Sequence, residues 1–450
     1  MDIKGKRFLV VGAGRSGIAV ADFLQRKGAV VLLTDNREID SSDSALNKLV
    51  QAGLQIASGI YPEVREGAFD AVVVSPGVPL DVPPVFQAGQ CGIPVLGELE
   101  LAYRFATAPM VAITGTNGKT TTTTLVGEIC RAAGFRTMVG GNIGLPLVDV
   151  VEEYGPDDLI VAEVSSFQLE TVAHFRPRVA VMLNITSDHM DRHVTMENYT
   201  AAKARIFARQ GVGDFTVLNY DDPRIRALAD LTKGEVIFFS RRHNLEAGVL
   251  IRGDMITVRR AGVDTDIVAT REVIIPGLHN LENVMAAVAA SWALGVAPEV
   301  LARTLRSFPG VEHRLEAVAQ KNGVLYVNDS KGTNPDAAIK ALGAYEQPIV
   351  LLAGGRNKGN DFTEYARLIK QKVRVLVVLG ECAAEIEKAA RSAGCTNILR
   401  AANFNEAVLM AHASAQHGDV VLLSPACASW DMFNNFEERG DLFKKIVNNL

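Results

Sequence analysis

Short apolar runs alternate with helix-length amphipathic stretches along almost the whole chain, and nothing else in the sequence restricts the fold as much. Such a run is buried on both faces, so it reads as a strand of a parallel sheet joined to the next strand by a crossover helix. The first block has strand runs at Phe8–Val11, Val30–Leu33 and Ala71–Val74. Ser75-Pro76-Gly77-Val78-Pro79 interrupts it, and a helix over Glu98–Phe105 leads to a break at Thr107-Ala108-Pro109. The second block opens with a strand at Met110–Thr114 and continues at Leu159–Val164, Val179–Asn184 and Phe215–Leu218. Between Glu235 and Pro276 the runs Val236–Phe239, Met255–Val258 and Thr265–Val268 are short and separated by turn residues, which predicts a small antiparallel insert. Helices follow at Leu281–Leu294 and Pro298–Ser307, and then the breaker Phe308-Pro309-Gly310. The third block has strands at Leu325–Val327, Ile349–Leu352, Val373–Leu379 and Val420–Leu423. The expected architecture is α/β with three domains, residues 1–107, 108–309 and 310–450, in keeping with 450 residues at ~150 per domain.

Composition narrows the classes. With 48% hydrophobic and 22% charged residues the chain has enough apolar side chains for packed cores, which excludes a disordered or fibrous protein. A net charge of −5 argues against a nucleic-acid coat or an anionic-membrane binder, while leaving room for local phosphate sites. The five cysteines form no CxxC pair and read as reduced thiols. No run of about 18 apolar residues is present, so the expectation is a soluble cytoplasmic protein.

Three groups of residues carry chemistry. Val111-Ala112-Ile113-Thr114-Gly115-Thr116-Asn117-Gly118-Lys119-Thr120-Thr121-Thr122 runs from a buried strand through a glycine turn into a helix. Backbone N–H groups there cradle phosphate, Lys119 adds a charge for the outer phosphates, and Thr120 a hydroxyl for Mg²⁺. Ile113 stands where the general phosphate-loop pattern has its first glycine. Second, Gly12-Ala13-Gly14-Arg15-Ser16-Gly17 follows a strand, and Asp35 ends the next strand. That arrangement seats a diphosphate on a helix N-terminus and a ribose hydroxyl on a carboxylate, in a dinucleotide or another nucleoside diphosphate. Third, Glu163 and the segment Asn184-Ile185-Thr186-Ser187-Asp188-His189-Met190-Asp191 follow strands of the phosphate-loop block. Ligands of open α/β sheets sit beyond the carboxyl ends of strands, so Glu163 and His189 would face the phosphates and could hold Mg²⁺, although this ion prefers oxygen donors. His193 reads as an ordinary surface residue. In the third block Asn328–Asn334, Gly354–Lys358 and Ser424–Ser429 each follow a strand and together make a polar site for an anionic ligand, whereas Cys427, flanked by alanines, lacks a neighbouring base.

Taken together these motifs resemble the Mur ligases of peptidoglycan synthesis over the whole chain. Gly115–Thr121 is similar to the family's ATP loop, Glu163–Leu169 and Asn184–Asp191 to its metal-site segments, Gly277-Leu278-His279-Asn280 with Asn283 to its adenine-side segment, and His313-Arg314 to its linker. Asn328–Asn334, and Ser424–Ser429 with Phe436 and Arg439-Gly440, resemble the branch that adds D-glutamate.

The resemblance implies an ATP-dependent amide ligase that adds D-glutamate to UDP-N-acetylmuramoyl-L-alanine through an acyl phosphate. It implies that Gly14, Arg15, Ser16, Asp35, Asn36, Arg37 and Gly77 surround the uridine diphosphate of a Rossmann-like first domain. Asn142 and His189 would reach that substrate, and Gly115, Thr116, Asn117, Gly118, Lys119, Thr120, Thr121, Asn283, Arg314 and Asp329 would bind ATP. Lys331, Thr333, Lys358, Ser429 and Phe436, the last by its backbone, would hold D-glutamate. Lys119, Glu163, His189 and Lys203 are the implied catalytic residues, with Thr120 and Glu163 on one Mg²⁺ and His189 and Lys203 on a second. Lys203, by itself an ordinary helix lysine, matches the lysine that the family carbamylates, which would turn a repelling ammonium into an oxygen ligand. The implied protein is a monomer with small-molecule partners alone, whose third domain closes about Phe308–Val311 to keep water from the acyl phosphate.

Two other classes account for less. A nicotinamide-dependent dehydrogenase explains the first glycine motif and leaves the phosphate loop unused. A phosphate-loop kinase or ATPase acting on a protein leaves Gly12–Gly17 and Asp35 unused.

Overall fold

A computed structural model describes residues 1–39 and 44–450. The chain forms two compact units, one of Met1–Arg252, Thr257–Ile267 and Met285–Leu301, the other of Gly253–Ile256, Val268–Val284 and Ala302–Leu450. Among the described residues no helix is long and apolar enough to cross a membrane.

The N-terminal sheet has five parallel strands in the order Gln55–Ser58, Val30–Asp35, Arg7–Val11, Ala71–Val74, Val95–Gly97. Each apolar run of the first block is a strand, and the order reverses between Arg7–Val11 and its neighbours. The crevice for a ligand therefore opens beyond Val11 and Val74, where Gly12 and Ser75 begin their loops. Helix Arg15–Arg26 starts immediately after the first strand, capped by Gly14 in extended conformation without a side-chain bond. Its start lies so close to the strand end that a Cβ on Gly17 would stand 1.8 Å from the Gly12 carbonyl oxygen. Helix Glu98–Phe105 then joins the first block to the second. Its buried Leu99, Leu101 and Ala102 share one apolar core with Phe23 and Leu24 on one side and Leu147, Val148 and Phe175 on the other.

The central sheet has nine strands in the order Val263–Ala269, Met255–Arg260, Gly248–Arg252, Glu235–Ser240, Phe215–Asn219, Val179–Met182, Met110–Thr114, Leu159–Glu163, Thr137–Gly141. Here the expectation of a small antiparallel insert between Glu235 and Pro276 needs correction at its first strand. Glu235–Ser240 pairs parallel with Phe215–Asn219 and with Gly248–Arg252, so it extends the main sheet. The helical turns Pro223–Arg226 and Ala227–Leu231 supply a crossover between the first two, and a crossover makes its strands parallel.

The third sheet, in the other unit, has the order Glu316–Lys321, Val324–Asn328, Val420–Leu423, Ile349–Gly354, Val373–Leu379, Ile398–Arg400. Only its first pair is antiparallel. The order sets Val324–Asn328, Val420–Leu423 and Ile349–Gly354 side by side, so the three polar loops that follow them are neighbours.

The close approach at Gly17 generates a stability expectation. Gly17→Ala forces the helix away from the strand, at a cost of roughly 1–3 kcal/mol for an overpacked contact. It should appear as a lower urea midpoint with an unchanged slope, read by circular dichroism.

Candidate active site

Met110–Thr114 is buried along its whole length in the interior of the sheet. The chain turns through Gly115 and through Gly118, whose φ of 87° only glycine adopts without strain, into helix Lys119–Ala132. The loop between is held from the next strand end. Asn184 accepts from the Asn117 N–H at 2.8 Å and donates to the Asn117 carbonyl at 2.8 Å, while Thr116 donates its N–H to the Asn184 carbonyl at 2.9 Å. The Thr116 hydroxyl meets the Thr186 carbonyl at 3.1 Å and the Tyr199 hydroxyl at 3.3 Å. Asn184 and Tyr199 thus shape the phosphate loop, a role that motif spacing does not reveal.

Two lysines converge on the loop. Lys119 Nζ donates to the carbonyls of Gly115 at 3.0 Å and Thr116 at 2.8 Å. Lys203 Nζ, on helix Met196–Ala204, donates to the same Gly115 carbonyl at 2.9 Å and lies 4.6 Å from the centre of the Tyr199 ring. Lys203 is fully buried, and burial together with the Lys119 charge holds its amine well below the usual lysine value, against the opposing pull of Asp188 and Glu163. An uncharged amine is the form that acts as a nucleophile.

Glu163 ends the neighbouring strand and is buried. Its Oε2 accepts from the Thr120 hydroxyl at 2.8 Å and its Oε1 from the Asn142 amide at 2.8 Å, and its carbonyl accepts from the Asn142 N–H at 2.9 Å. A carboxylate and a hydroxyl in contact at the start of the phosphate-loop helix are hard oxygen donors, the set that suits Mg²⁺. His189 begins the turn Met190–His193 with φ 55°, its imidazole 3.7 Å from Asp188 and edge-on to Phe167 at 4.7 Å between ring centres. His193 corrects the expectation of a surface residue. It is buried, with Nε2 2.9 Å from the Ser166 hydroxyl and its ring between Phe167 and Tyr199, because the short helical turn points it inward.

In the same unit a cavity of about 690 Å³ opens at the carboxyl end of the N-terminal sheet. Gly14, Arg15, Ser16, Asp35, Asn36, Arg37, Gly77 and Asn142 all line it. Tyr61, Ser75, Pro76, Val78 and Gln168 line it too, and the motif reading does not assign them. Burial would raise the Asp35 carboxyl, but the N–H groups of Ala13 at 2.9 Å and Arg37 at 3.0 Å, with the Arg37 guanidinium, outweigh it and hold the group below its ordinary value. Asp35 thereby stays ionised, as a hydroxyl acceptor must.

The other unit gathers the remaining residues. The three polar loops bond to one another, Ala426 N–H to the Gly332 carbonyl at 2.9 Å and Ala428 N–H to the Arg356 carbonyl at 3.0 Å. Lys331 Nζ stands 4.9 Å from the Phe436 ring centre and Lys358 Nζ 5.9 Å from the Trp430 ring centre. Thr333 donates its N–H to the Lys331 carbonyl at 2.9 Å, and Ser429 is buried. Arg439, also buried, clamps two of these loops: Nε donates to the Ser330 hydroxyl at 2.9 Å and Nη2 to the Ser330 carbonyl at 2.8 Å and the Cys427 carbonyl at 3.3 Å. Burial raises the Asp329 carboxyl to about 6 despite Arg314 3.7 Å away and the Ser424 hydroxyl at 2.8 Å. Asn283 Nδ2 donates to Asn280 at 3.1 Å. Cys427 lies with its Sγ 2.8 Å from that of Cys382; that contact and burial push its thiol up, out of the range of a nucleophile.

A phosphate loop with a buried carboxylate and a buried lysine beside it, and a second cavity at the carboxyl end of the N-terminal sheet, are the frame of a nucleotide-dependent enzyme. The chain is matched at residues 6–97 by the Mur ligase MurD-like N-terminal domain, at 113–291 by the Mur ligase middle domain, and at 313–427 by the Mur ligase glutamate ligase domain. It is 60% identical to the UDP-N-acetylmuramoylalanine–D-glutamate ligase of Pelotomaculum thermopropionicum, over 99% of this chain and 98% of that protein. It is 49% identical to the ligase of the same name from Desulfitobacterium hafniense, with the same coverage. In fold it is similar to the UDP-N-acetylmuramate–alanine ligase MurC of Thermotoga maritima, with a TM-score of 0.62 at 18% identity over 99% of each chain. The MurF ligase of that organism in complex with ADP gives the same TM-score and identity, over 99% of this chain and 96% of that one. This chain belongs to the Mur ligase family.

A pH expectation follows from Glu98, fully buried behind the Asn142 loop. Burial raises its carboxyl from 4.5 to about 7, against the N–H groups of Val148 and Leu147. The native state then holds more protons than the unfolded chain between these values, so the Glu98 contribution to stability falls as pH rises from 4.5 to about 7. Urea unfolding across that window should show Glu98→Gln gaining stability relative to the parent as pH rises.

Proposed function

We propose that this chain is an ATP-dependent ligase that joins D-glutamate to UDP-N-acetylmuramoyl-L-alanine through an acyl phosphate, in peptidoglycan precursor synthesis. The observation that carries the reading is the hydrogen-bonded line Asn142–Glu163–Thr120. Asn142 lines the diphosphate cavity, Thr120 opens the phosphate-loop helix, and Glu163 bonds to both at 2.8 Å. A carboxylate presented at the Asn142 end of the cavity is thereby brought to the outer phosphate of a nucleotide on the loop.

In the proposed reaction a substrate carboxylate oxygen attacks the terminal phosphorus of ATP, and the bond to the bridging oxygen breaks to release ADP. Lys119 and the loop N–H groups stabilise the charge on the transferring group, a mainly electrostatic task. Mg²⁺, when bound, would neutralise phosphate charge on the oxygens of Thr120 and Glu163, with His189 and Lys203 at a second ion. Lys203 is suited to carbamylation: a neutral amine adds to carbon dioxide, forming the N–C bond and releasing a proton, which leaves an anionic oxygen donor. Gly115, Thr116, Asn117, Gly118 and Thr121 would cradle the phosphates, Asn283 the adenine side, and Arg314 and Asp329 would complete ATP binding. Lys331, Thr333, Lys358, Ser429 and the Phe436 backbone would hold D-glutamate, whose amine attacks the acyl carbon and expels phosphate. Two lysines, each standing over an aromatic ring of this unit, support a dicarboxylate in that role.

The decisive experiment is phosphate release from ATP with Mg²⁺ and UDP-N-acetylmuramoyl-L-alanine. It should depend on D-glutamate, and neither L-glutamate nor L-alanine should replace it; a UDP-linked dipeptide should appear by mass. Release indifferent to the amino acid would refute the reading. Lys203→Ala should lower turnover by about a hundredfold or more, the scale of losing one electrostatic stabiliser, with added carbonate giving no recovery.

A further inference from the structure

Between the diphosphate cavity and the His189 turn stands one side chain that neither the motifs nor the proposed reaction employs. Arg192 lies on the helical turn Met190–His193, and its N–H donates to the His189 carbonyl at 3.1 Å. Its guanidinium reaches three partners on two separate stretches of the chain, Pro76 on one and Phe167 with Glu170 on the other. Nη1 donates to the Pro76 carbonyl at 3.2 Å. Nε and Nη2 donate to Glu170 at 3.2 Å and 2.5 Å. The guanidinium carbon sits 4.4 Å from the centre of the Phe167 ring.

Two of the partners lead to functional elements. Pro76 and its neighbour Gly77 wall the cavity, as does Gln168, next to Phe167. Phe167 touches the His189 ring at 4.7 Å between centres. Arg192 is outside the set of residues lining the cavity, and only about 17% of its side chain and of Glu170 is exposed. A planar, five-donor group can fork onto a carboxylate while it bonds a carbonyl in one fixed geometry, which a lysine ammonium does not do. An ion pair on an open surface would contribute little; this one ties the wall of one ligand pocket to the turn that carries His189.

We propose that Arg192 is a positioning residue that couples the two sites: a ligand that orders the Ser75–Pro79 loop also sets the His189 turn, so UDP-substrate and nucleotide strengthen each other's binding. The inference rests on the ligase reading above for the identity of the two ligands. Coupling through such a brace is reciprocal, so it can be read from either ligand.

The test uses the full-length protein with Mg²⁺, a fluorescent non-hydrolysable ATP analogue, and UDP-N-acetylmuramoyl-L-alanine. In the parent, saturating UDP-substrate should tighten the analogue's dissociation constant by about fivefold or more, the lower range of measured couplings. In Arg192→Gln that factor should fall to near one, while each ligand alone binds within about twofold of the parent. Glu170→Gln, which leaves the reach to Pro76 intact, should keep an intermediate factor and guards against a folding defect in the first variant. An unchanged factor in Arg192→Gln, or none in the parent, overturns the inference. The ligase reading is judged separately, by D-glutamate-dependent turnover of the parent. Coupling lost alongside intact parental turnover supports both, and parental turnover without altered coupling removes Arg192 alone.

Discussion

One buried carboxylate ties the candidate site together. Glu163 accepts from Thr120 through one oxygen and from Asn142 through the other. Those two donors belong to the start of the phosphate-loop helix and to the wall of the cavity at the N-terminal sheet. An unpaired carboxylate in the interior is costly, and these two bonds are what let Glu163 be buried. Bonded on both sides, the acid becomes the fixed point from which both ligand sites are measured. The central sheet supplies the fixing: Leu159–Glu163 is flanked by Met110–Thr114 and Thr137–Gly141, so loop, acid and amide leave three adjacent strands at the same end.

The cations are managed by a different rule. Lys119 and Lys203 share the Gly115 carbonyl, an arrangement unfavourable for two ammonium ions and tolerable when one amine is uncharged. Burial and the neighbouring Lys119 charge therefore both act to hold the Lys203 amine well below the usual lysine value. In the other unit Lys331 and Lys358 each stand over an aromatic ring. Arg439 is buried with carbonyl and hydroxyl partners, and the cost of desolvating it lowers its group to about 10. That cost is offset by fixing the loops that carry Lys331, Thr333 and Ser429.

Much of this was legible along the chain. Central strands are continuous apolar runs because both faces are covered, and Met110–Thr114, Ala71–Val74 and Val373–Leu379 agree residue for residue. Gln55–Ser58, Val95–Gly97, Thr137–Gly141, Ile398–Arg400 and Glu316–Lys321 escape the same criterion, and all five are sheet edges. An edge strand needs one paired neighbour and one covered face, so its sequence carries polar or glycine residues and loses the signal. Gly248–Arg252 escapes it in the sheet interior, where the run is short and ends on charge.

Local chemistry is what the amino-acid order decides by itself: where a strand yields to a glycine turn, which helix start offers N–H groups to phosphate, which loops carry lysine and hydroxyl. These depend on neighbours within a few residues, and Gly115–Thr121 and Gly12–Gly17 are complete as sequence. The partners of those elements are a matter of the folded chain alone. Parallel sheets are not wound in chain order, so Met110–Thr114 pairs with Leu159–Glu163 and Val179–Met182 while Thr137–Gly141 takes the edge. From that winding come the meeting of Thr120, Glu163 and Asn142, the Asn184 brace on the phosphate loop, the burial of His193, and the reach of Arg192 to Pro76 across 116 positions of sequence. Spacing could not anticipate them, because the distance between two side chains in such a sheet is set by which strands lie side by side.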